Sequence, residues 1–568
     1  MNETKKHITG NKKKDLSGFA ILIVIVVLMN FVFGFYFKRF DLTSEGRYTL
    51  AGSTKKLLKN LNDIVYLKVY LQGDFNPGFT RLRNETKEIL DEFRAYSNNQ
   101  IEYVFINPTE NSDKEEVNKI ERQLYEKGIV PEQVIDRKKQ KTSESLLWPG
   151  ALVTFKGRET NWQIYKRQDF TPPEEALNNS VKELEYSLSN TIRKLQTEHK
   201  PEVTFIEGQG EMDTLRQFDF MRSLGEYYNV NRLTINHKLG CLKTSNAIVI
   251  TKPDSTFDEK DKFIIDQYIM RGGKVLWLLD PVFINMDTFR LRGYSLGLNN
   301  PTGLEDMLFR YGVRLNPVLV QDLQCSKIPV NVGFTKGQPN FQLFSWVYNP
   351  LVTADANHPI VKNLDLIKFE FLSTIDTVSA KGIKKTFLLK TSRYSKTQLT
   401  PARVALGIVK FKPNEEQFRN SYQPVACLLE GSFQSVYENR VLPNAITSDS
   451  AIAFRDQGVN TKMIVVADGD IAKNDFQTGK GIYPLGYDKY MNQTFANKTF
   501  LLNCVNYLLD DEGLLQLRAR EVKLRLLDKK KINNQETKWQ LINIALPLGI
   551  LIMCGIVQFY IRKKRYAS

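Results

Sequence analysis

The chain has 568 residues and a net charge of +16, and 42% of its residues are hydrophobic. The positive charge is unevenly placed: residues 1–16 carry +3, residues 518–531 carry +5 and residues 561–568 carry +4, which leaves about +4 for the rest. All three segments adjoin apolar stretches, where basic residues bind anionic lipid headgroups. The composition therefore indicates a membrane surface and argues against a nucleic-acid partner.

The first apolar stretch, residues 19–37, reads FAILIVIVVLMNFVFGFYF. About 20 apolar residues in a helix cross a bilayer core of about 30 Å. The stretch is longer than the apolar region of a signal peptide, and neither a small-residue cleavage site nor a lipid-anchored cysteine follows it. We predict a short basic cytoplasmic tail, 1–17, and an uncleaved transmembrane helix, 18–37.

The next segment has the pattern of a small α/β module, which we place at residues 38–200. A strand-like run at 64–71, a helical run ending near Tyr96 and a second strand at 101–106 predict a βαβ unit. The charged stretch 111–141 is typical of a surface helix and an exposed loop. Apolar residues spaced by three and four from Leu177 to Leu195 predict one amphipathic helix.

Strands and helices then alternate, which predicts a mainly parallel α/β sheet within residues 201–515. A β-rich insertion is expected at about 320–460. The predicted strands cover 203–206, 230–235, 247–250, 275–279 and 463–467, and the predicted helices cover 211–228, 257–271 and 499–509.

The C-terminal part predicts a basic helical stalk at 516–538, a second transmembrane helix at 539–560 and a basic cytoplasmic tail at 561–568. Lysines and arginines concentrate on the cytoplasmic side of membrane helices. Both tails are therefore expected in the cytoplasm, with the central domain outside it. The basic residues from Arg518 to Lys531 conflict with this orientation, but long domains translocate largely regardless of charge.

Polar residues follow the predicted strands at the carboxyl edge of the sheet, where open α/β sheets bind ligands. Such a rim suits a cation or a basic partner. Helix capping and turn formation are the alternative, and they are the commoner role of these residue types. The candidate rim residues are Glu207, Gln209, Glu211, Thr251, Asp280, Asp468 and Asp470.

Motifs of known catalytic and cofactor sites are missing from the sequence. Residues 207–211 read EGQGE, but a dinucleotide fingerprint requires a third glycine where Asp213 stands, so a tight glycine turn is the better interpretation. The chain has neither a P-loop nor a G-x-S-x-G motif. We therefore predict no catalytic residue, no cofactor and no metal.

The cysteines have no spacing typical of a metal or redox site. A disulfide outside the cytoplasm is compatible with the sequence, but the sequence does not pair the thiols. The four cysteines of the central region are Cys241, Cys325, Cys427 and Cys504.

The chain resembles the GldG family of gliding-motility-associated ABC transporter components of Bacteroidetes, nearly from end to end. The resemblance rests on RYTLAGSTKKLLKNL, LNNSVKELEYSLSNTIRKL, LFRYGVRLNPVLVQD, NHPIVKNLDLIKFEFLSTIDTV, CLLEGSFQSVYENR and VVADGDIAKND. The most specific segment is FLLNCVNYLLDDEGLLQLRAREVKLRLLDK, which precedes the second apolar stretch.

The resemblance implies an inner-membrane subunit that acts with a separate ATPase and a separate polytopic permease. Anchoring at both ends without a catalytic motif leads to the hypothesis that the outer domain couples the ATPase to a periplasmic or envelope partner. It also implies a periplasmic sheet similar to flavodoxin or class I glutamine amidotransferases. The amidotransferase nucleophile is missing, because Asp280-Pro281 follows the strand and no G-x-C-x-G elbow exists. A non-enzymatic subunit is the leading hypothesis; a ligand-binding module that uses the acidic rim and a degenerate amidotransferase-like enzyme are the alternatives.

Overall fold

The computed structural model describes residues 16–29, 49–73, 75–109, 113–138, 141–335, 337–354, 358–440, 454–479, 481–510, 513–519 and 529–566. The chain divides into two compact units, Met1–Arg520 and Glu521–Ser568. The helices are α1 Leu16–Met29, α2 Gly52–Lys59, α3 Pro77–Tyr96, α4 Lys114–Glu126, α5 Pro173–Lys182, α6 Leu184–Gln196, α7 Phe218–Gly225, α8 Glu259–Met270, α9 Met286–Arg292, α10 Glu305–Tyr311, α11 Asn497–Leu508 and α12 Lys529–Tyr566.

The strands form several separate sheets. They are β1 Val65–Val69, β2 Ile101–Phe105, β3 Glu132–Lys138, β4 Lys141–Leu147, β5 Gly150–Phe155, β6 Arg158–Gln163, β7 Glu202–Glu207, β8 Asn229–Thr234, β9 Ala247–Thr251, β10 Lys274–Leu278, β11 Val282–Ile284, β12 Tyr294–Asn299, β13 Val313–Asn316, β14 Val318–Asp322, β15 Cys325–Thr335, β16 Gln338–Val352, β17 Ile367–Lys368, β18 Thr374–Thr377, β19 Ile383–Lys390, β20 Ser395–Leu399, β21 Ala402–Ala405, β22 Pro424–Gln434, β23 Gln457–Val466, β24 Phe476–Gln477, β25 Gly481–Ile482, β26 Tyr487–Asp488 and β27 Gln493–Thr494.

The first sheet has four strands in the order β2-β1-β5-β6. β1 and β2 are parallel and α3 connects them, so the predicted βαβ unit is confirmed. The expected exposed loop before residue 141 is wrong in part: after α4, strands β3 and β4 form an antiparallel hairpin. Their charged sequence concealed the pair because backbone hydrogen bonds, not apolar side chains, join two strands.

The amphipathic helix predicted from Leu177 to Leu195 is two helices, α5 and α6, which meet at Glu183. Leu177, Leu188 and Leu195 are buried as the spacing requires. The backbone at Glu183 stays close to helical, with φ of −91° and ψ of −2°, so the apolar spacing continues across the break.

The second sheet has seven strands in the order β19-β22-β23-β10-β9-β7-β8. The strands from β8 to β23 pair in parallel, whereas β22 and β19 join one edge antiparallel. Alternate residues of β10 enter different cores: Leu276 packs with α7 and α11, and Trp277 packs with α8 and α10. The sheet is thus mixed and is covered on both faces, as mainly parallel sheets are.

Small antiparallel sheets occupy the chain between β10 and β22. They comprise β11-β12-β21, β13-β18, β14-β20 and β15-β16-β17. A separate apolar core that includes Leu319, Trp346 and Val404 lies among them. The β-like character expected from about residue 320 onward is present, and it begins earlier, at Val282.

The C-terminal unit contains α12, in which Thr537–Lys564 is long and apolar enough to cross a membrane. It is the one helix of that kind among the described residues. Helix α1 covers part of the first predicted span. Residues 30–37 of that span lie outside the described residues. Much of the predicted stalk and the outer parts of both predicted tails also lie outside them; Leu514–Ala519 is a 3-10 helix.

Candidate functional site

The carboxyl ends of the parallel strands of the second sheet lie at one edge. β10 leads into Asp280 and β23 leads into Asp468 and Asp470. The structure brings these three carboxyl groups together. The other predicted rim residues make their polar contacts elsewhere.

Two lysines that the sequence prediction missed lie among these acids. The Nζ of Lys252 is 3.0 Å from Oδ2 of Asp280 and also pairs with Asp470. The Nζ of Lys473 is 3.2 Å from Oδ1 of Asp470 and also pairs with Glu370. We call the six residues the strand-end cluster: Lys252, Asp280, Glu370, Asp468, Asp470 and Lys473.

Asp468 ties the strand end to the inserted segment. It is fully buried, and its two carboxyl oxygens accept the backbone N–H groups of Glu370 at 2.8 Å and Asp470 at 2.7 Å. Asp280 accepts the backbone N–H of Gly469. The side chains of Asp468 and Asp280 thus bind backbone N–H groups of the adjoining loops, as turn-forming aspartates do.

The charges of the cluster are strongly interdependent. Burial, together with the nearby Asp280 and Asp470, raises the pKa of Asp468 well above its usual value. Burial opposes ionisation of Asp470 as well, but Lys473 and Lys252 bring the pKa of Asp470 below its usual value. Lysines therefore offset part of the negative charge of the rim, and burial beside two other acids disfavours ionisation of Asp468.

The loop after β7 is the tight turn expected from its glycines. Gly208 and Gly210 have φ of 118° and 73°, which favour glycine. The backbone N–H of Gln209 donates to Oε2 of Glu211 at 2.7 Å, and burial raises the pKa of Glu211. Glu207 pairs with Arg232 on β8.

The remaining rim position, Thr251, ends β9 and is buried. Its carbonyl oxygen accepts the backbone N–H of Met212 at 3.1 Å. Gln209 reaches Asp261, with its Nε2 3.4 Å from Oδ2 of that residue. These contacts fix the loop against α8 rather than leaving it open to a ligand.

A second buried charge pair lies at the end of the large unit. The Nη2 of Arg518 donates to Oε1 of Glu183 and to the carbonyl oxygen of Lys362, both at 2.8 Å. Lys166 lies 3.2 Å from the other oxygen of Glu183. Burial would raise the pKa of Glu183, but Arg518 and Lys166 lower it to about 2.

Arg518 is held in place by the segment around it. Leu514, Leu515 and Leu517 are buried in the main core, and the backbone N–H groups of Leu514 and Leu515 donate to Asp510. The sequence prediction treated Arg518 only as a basic stalk residue. Its position at the end of a leucine-rich run was the one signal that it is buried.

A cavity of about 510 Å³ adjoins this pair, within the size range of small-molecule pockets. Its walls come from three parts of the chain, near residues 166–183, 363–365 and 487–518. Asp169 accepts the backbone N–H of Thr494 and Asp365 accepts that of Phe170, both at 2.9 Å. The cavity therefore lies along the seam that joins the N-terminal module to the second sheet.

All five cysteines are free, and none forms a disulfide. Burial raises the pKa of Cys325 to about 11 and that of Cys427 to about 12, and it also raises the pKa values of Cys241 and Cys504. Thiolates, the reactive form, are thus disfavoured at neutral pH. Within the described ranges, no group of three or more His, Cys, Asp and Glu side chains is placed to hold a metal ion.

Two family models match the chain. One, described as an ABC-type uncharacterized transport system, matches residues 200–504, which is more than half of the chain. The other, a domain of unknown function, matches residues 44–154. A protein of Borreliella burgdorferi, described as an uncharacterized protein, is 20% identical over 98% of this chain and 99% of its own length.

Two solved structures show weak likeness to the chain. The N-terminal domain of mmIFT52 has a TM-score of 0.31 at 12% identity, covering 54% of this chain and 97% of that domain. An exo-β-1,4-mannosidase from Opitutaceae bacterium strain TAV5 has a TM-score of 0.21 at 10% identity, covering 78% of this chain and 52% of that enzyme. These values carry no argument about fold or function. The match over residues 200–504 shows that the chain belongs to the family of ABC-type transport system auxiliary proteins.

Proposed function

We propose that this protein is a non-enzymatic subunit of an ABC transporter linked to gliding motility, which couples a separate ATPase and permease to a periplasmic partner. The family match and the apolar helix α12, which fits membrane association, support a transporter subunit. The resemblance in sequence supports the motility link. In this proposal the protein is held in the inner membrane, with both tails in the cytoplasm and the large unit in the periplasm.

The buried pair of Arg518 and Glu183 is the observation that carries this proposal. Arg518 stands near the end of the large unit, just before the segment that leads to α12. Its guanidinium contacts both the α5–α6 junction and the carbonyl of Lys362. A coupling subunit needs a firm connection between its membrane segment and its outer domain, and this pair supplies a fixed attachment for the chain at that end.

Two features support a role without catalysis. Asp280, at the strand end where an amidotransferase-like sheet would carry its nucleophile, is ion-paired to Lys252. The thiols have raised pKa values, which disfavours them as nucleophiles.

Counted along the chain, the five parallel strands take the order 2-1-3-4-5, which supports descent from a flavodoxin-like or amidotransferase-like sheet.

Co-purification tests the proposed assembly. The tagged full chain, extracted from its native membranes in mild detergent, should bring down an ATPase subunit and a polytopic permease in constant ratio. A variant lacking residues 529–568 is the control, and it should lose the permease. Recovery of the full chain alone across several mild detergents would contradict the proposal.

For the strand-end cluster we propose a structural role, in which it joins the inserted segment to the sheet. Lys252→Met should lower the melting temperature of the full chain, because Asp280 and Asp470 lose a partner. Lys260→Met on the exposed surface of α8 is the matched control. Thermal stabilisation of the wild type, but not of K252M, by a cation, sugar or peptide would instead favour the ligand-binding alternative.

A further inference from the structure

Among the described residues of the inserted segment, strands β15 and β16 form the longest hairpin, with 11 and 15 residues. Its strands pair at Pro329↔Leu343, Asn331↔Phe341 and Phe334↔Pro339. Near the root, Trp346 and Tyr348 are buried in the core of the small sheets. Toward the tip, both strands are exposed on both faces, so this part of the hairpin extends away from the core.

The two faces of the hairpin differ in chemistry. Residues paired across strands share a face, and residues two apart on one strand share a face. A bulge between Asn331 and Gly333 returns Phe334 to the face of Phe341. The apolar face consists of Pro329, Phe334, Pro339, Phe341 and Leu343, with one polar residue, Asn331, opposite Phe341. The other face carries Gln338, Asn340 and Gln342, with Val330 opposite Gln342.

The apolar face is uncovered in the structure. Phe334 is 75% exposed, Phe341 is 59% exposed and Leu343 is 44% exposed. A cluster of large, exposed apolar side chains on one face marks an interaction surface, whereas single apolar residues scattered over a surface do not.

The charge of the hairpin distinguishes among partners. Residues 325–352 contain two lysines, Lys327 and Lys336, and no aspartate or glutamate. Phenylalanine and leucine beside lysines, without acids, are typical of segments that lie in the interface of a bilayer with anionic headgroups. A protein-binding surface would instead be expected to carry Trp, Tyr and Arg at its centre.

We propose that the apolar face of this hairpin inserts into an anionic bilayer, the one that holds α12. A segment attached covalently to a membrane helix meets the same bilayer at a high effective concentration, so a small apolar contact suffices. Phe334, Phe341 and Leu343 enter the interface, and Lys327 contacts headgroup phosphates. The inference rests on the membrane attachment in the proposed function, but not on the transporter partners or on motility.

Tryptophan quenching by brominated lipid tests this contact. The Phe341→Trp variant of the full chain is placed in nanodiscs of phosphatidylcholine with phosphatidylglycerol, with and without bromine on the acyl chains. The emission added by the new tryptophan, taken as the difference from wild type, should fall about twofold in brominated discs. Tyr125→Trp, an exposed position on α4, is the control and should be quenched little.

Adding Phe334→Ser and Leu343→Ser to the Phe341→Trp variant should abolish the quenching, and both changes are at exposed positions. Unquenched Phe341→Trp in anionic discs would overturn the proposal. So would quenching only by brominated vesicles added from outside, which indicates a different bilayer. A blue shift that depends on protein concentration but not on lipid would assign the face to a second copy of the chain.

A positive quenching result from a chain that purifies without an ATPase or permease would separate the two proposals. The hairpin would then contact the membrane although the transporter role had failed. Co-purification of an ATPase and a permease without lipid quenching of the new tryptophan would support the transporter role and contradict the membrane contact of the hairpin.

Discussion

Arg518 and Glu183 are 335 residues apart in sequence and form a buried ion pair. Replacing one partner of such a pair leaves the other charge buried without adequate compensation. We expect Arg518→Met to lower the free energy of unfolding of the large unit by about 3–5 kcal/mol, because Lys166 alone remains beside Glu183. Urea denaturation of the full chain in detergent, followed by near-UV circular dichroism, measures this loss.

The matched control is Lys260→Met, which removes an exposed cation and should change the midpoint little. The double variant R518M/E183M should recover much of the loss, since neither charge is then left alone. A midpoint for R518M equal to that of the wild type would mean that the pair does not hold the C-terminal end of the unit.

His358 gives the large unit a pH-dependent stability. Its ring packs edge-on to Tyr507 at 4.9 Å between centroids, and burial lowers the pKa of His358 from 6.5 to about 4. The unfolded chain thus binds a proton at His358 below about pH 6.5, whereas the folded chain resists it down to about pH 4. Because the unfolded state holds more protons in this window, the contribution to stability is lost as the pH falls from 6.5 to 4.

We expect His358→Gln to flatten the fall of the melting temperature between pH 6.5 and pH 4, with a small change at pH 7.5. His199→Gln, at an exposed position, serves as the control and should leave the slope as in wild type. Differential scanning fluorimetry across this range measures both. An unchanged slope for H358Q would show that protonation of His358 does not contribute.

Three acidic residues of the strand-end cluster, Asp280, Asp468 and Asp470, could be predicted individually, because they follow recognisable strands. Their partners could not. Lys252 follows Thr251 directly, but its direction depends on the strand order, and Glu370 comes from an inserted segment whose position the sequence did not fix. The net charge of such a rim is therefore poorly predicted from sequence, because the direction of each neighbouring lysine depends on how the strands are ordered.

At the scale of elements, local periodicity predicted the core strands and their intervening helices. The run Ala247–Thr251 is buried throughout, as an unbroken apolar run before a helix indicates. The hairpin of β3 and β4 was missed because its sequence is polar. The interruption between α5 and α6 was missed because the apolar spacing continues across Glu183.

The turn after β7 provides a test of a single element. Gly210 has φ of 73°, and a β-carbon added there would overlap the carboxylate of Asp254. We expect Gly210→Ala to lower the free energy of unfolding by about 1–3 kcal/mol, because both the left-handed backbone and the contact disfavour a side chain. Urea denaturation measures the change.

Gly225, near the end of α7, is the matched control because a β-carbon there meets no neighbouring atom and its φ is not positive. Gly225→Ala should be neutral or stabilising by up to about 1 kcal/mol. Equal midpoints for G210A and the wild type would show that the loop adapts without strain.

At the scale of the whole molecule, the predicted orientation of the chain in the membrane rests on its charge distribution. Basic residues flank both apolar segments on their outer sides, and the preference of Lys and Arg for the cytoplasmic side predicts that both tails lie there. The structure describes the apolar helix near the C-terminus, whereas much of the N-terminal segment lies outside the described residues. Membrane orientation depends on translocation, which neither the folded core nor its contacts encode.

Protease protection tests this orientation directly. In spheroplasts, protease added outside should digest the large unit, while epitope tags fused at the N-terminus and the C-terminus should both survive on small fragments of membrane-protected size. Detergent should then expose both tags, because it removes the barrier. Inverted membrane vesicles are the control, and there both tags should be lost while the large unit is protected. Loss of only the N-terminal tag in spheroplasts would mean that α12 crosses alone, and loss of both would reverse the assignment of the tails to the cytoplasm.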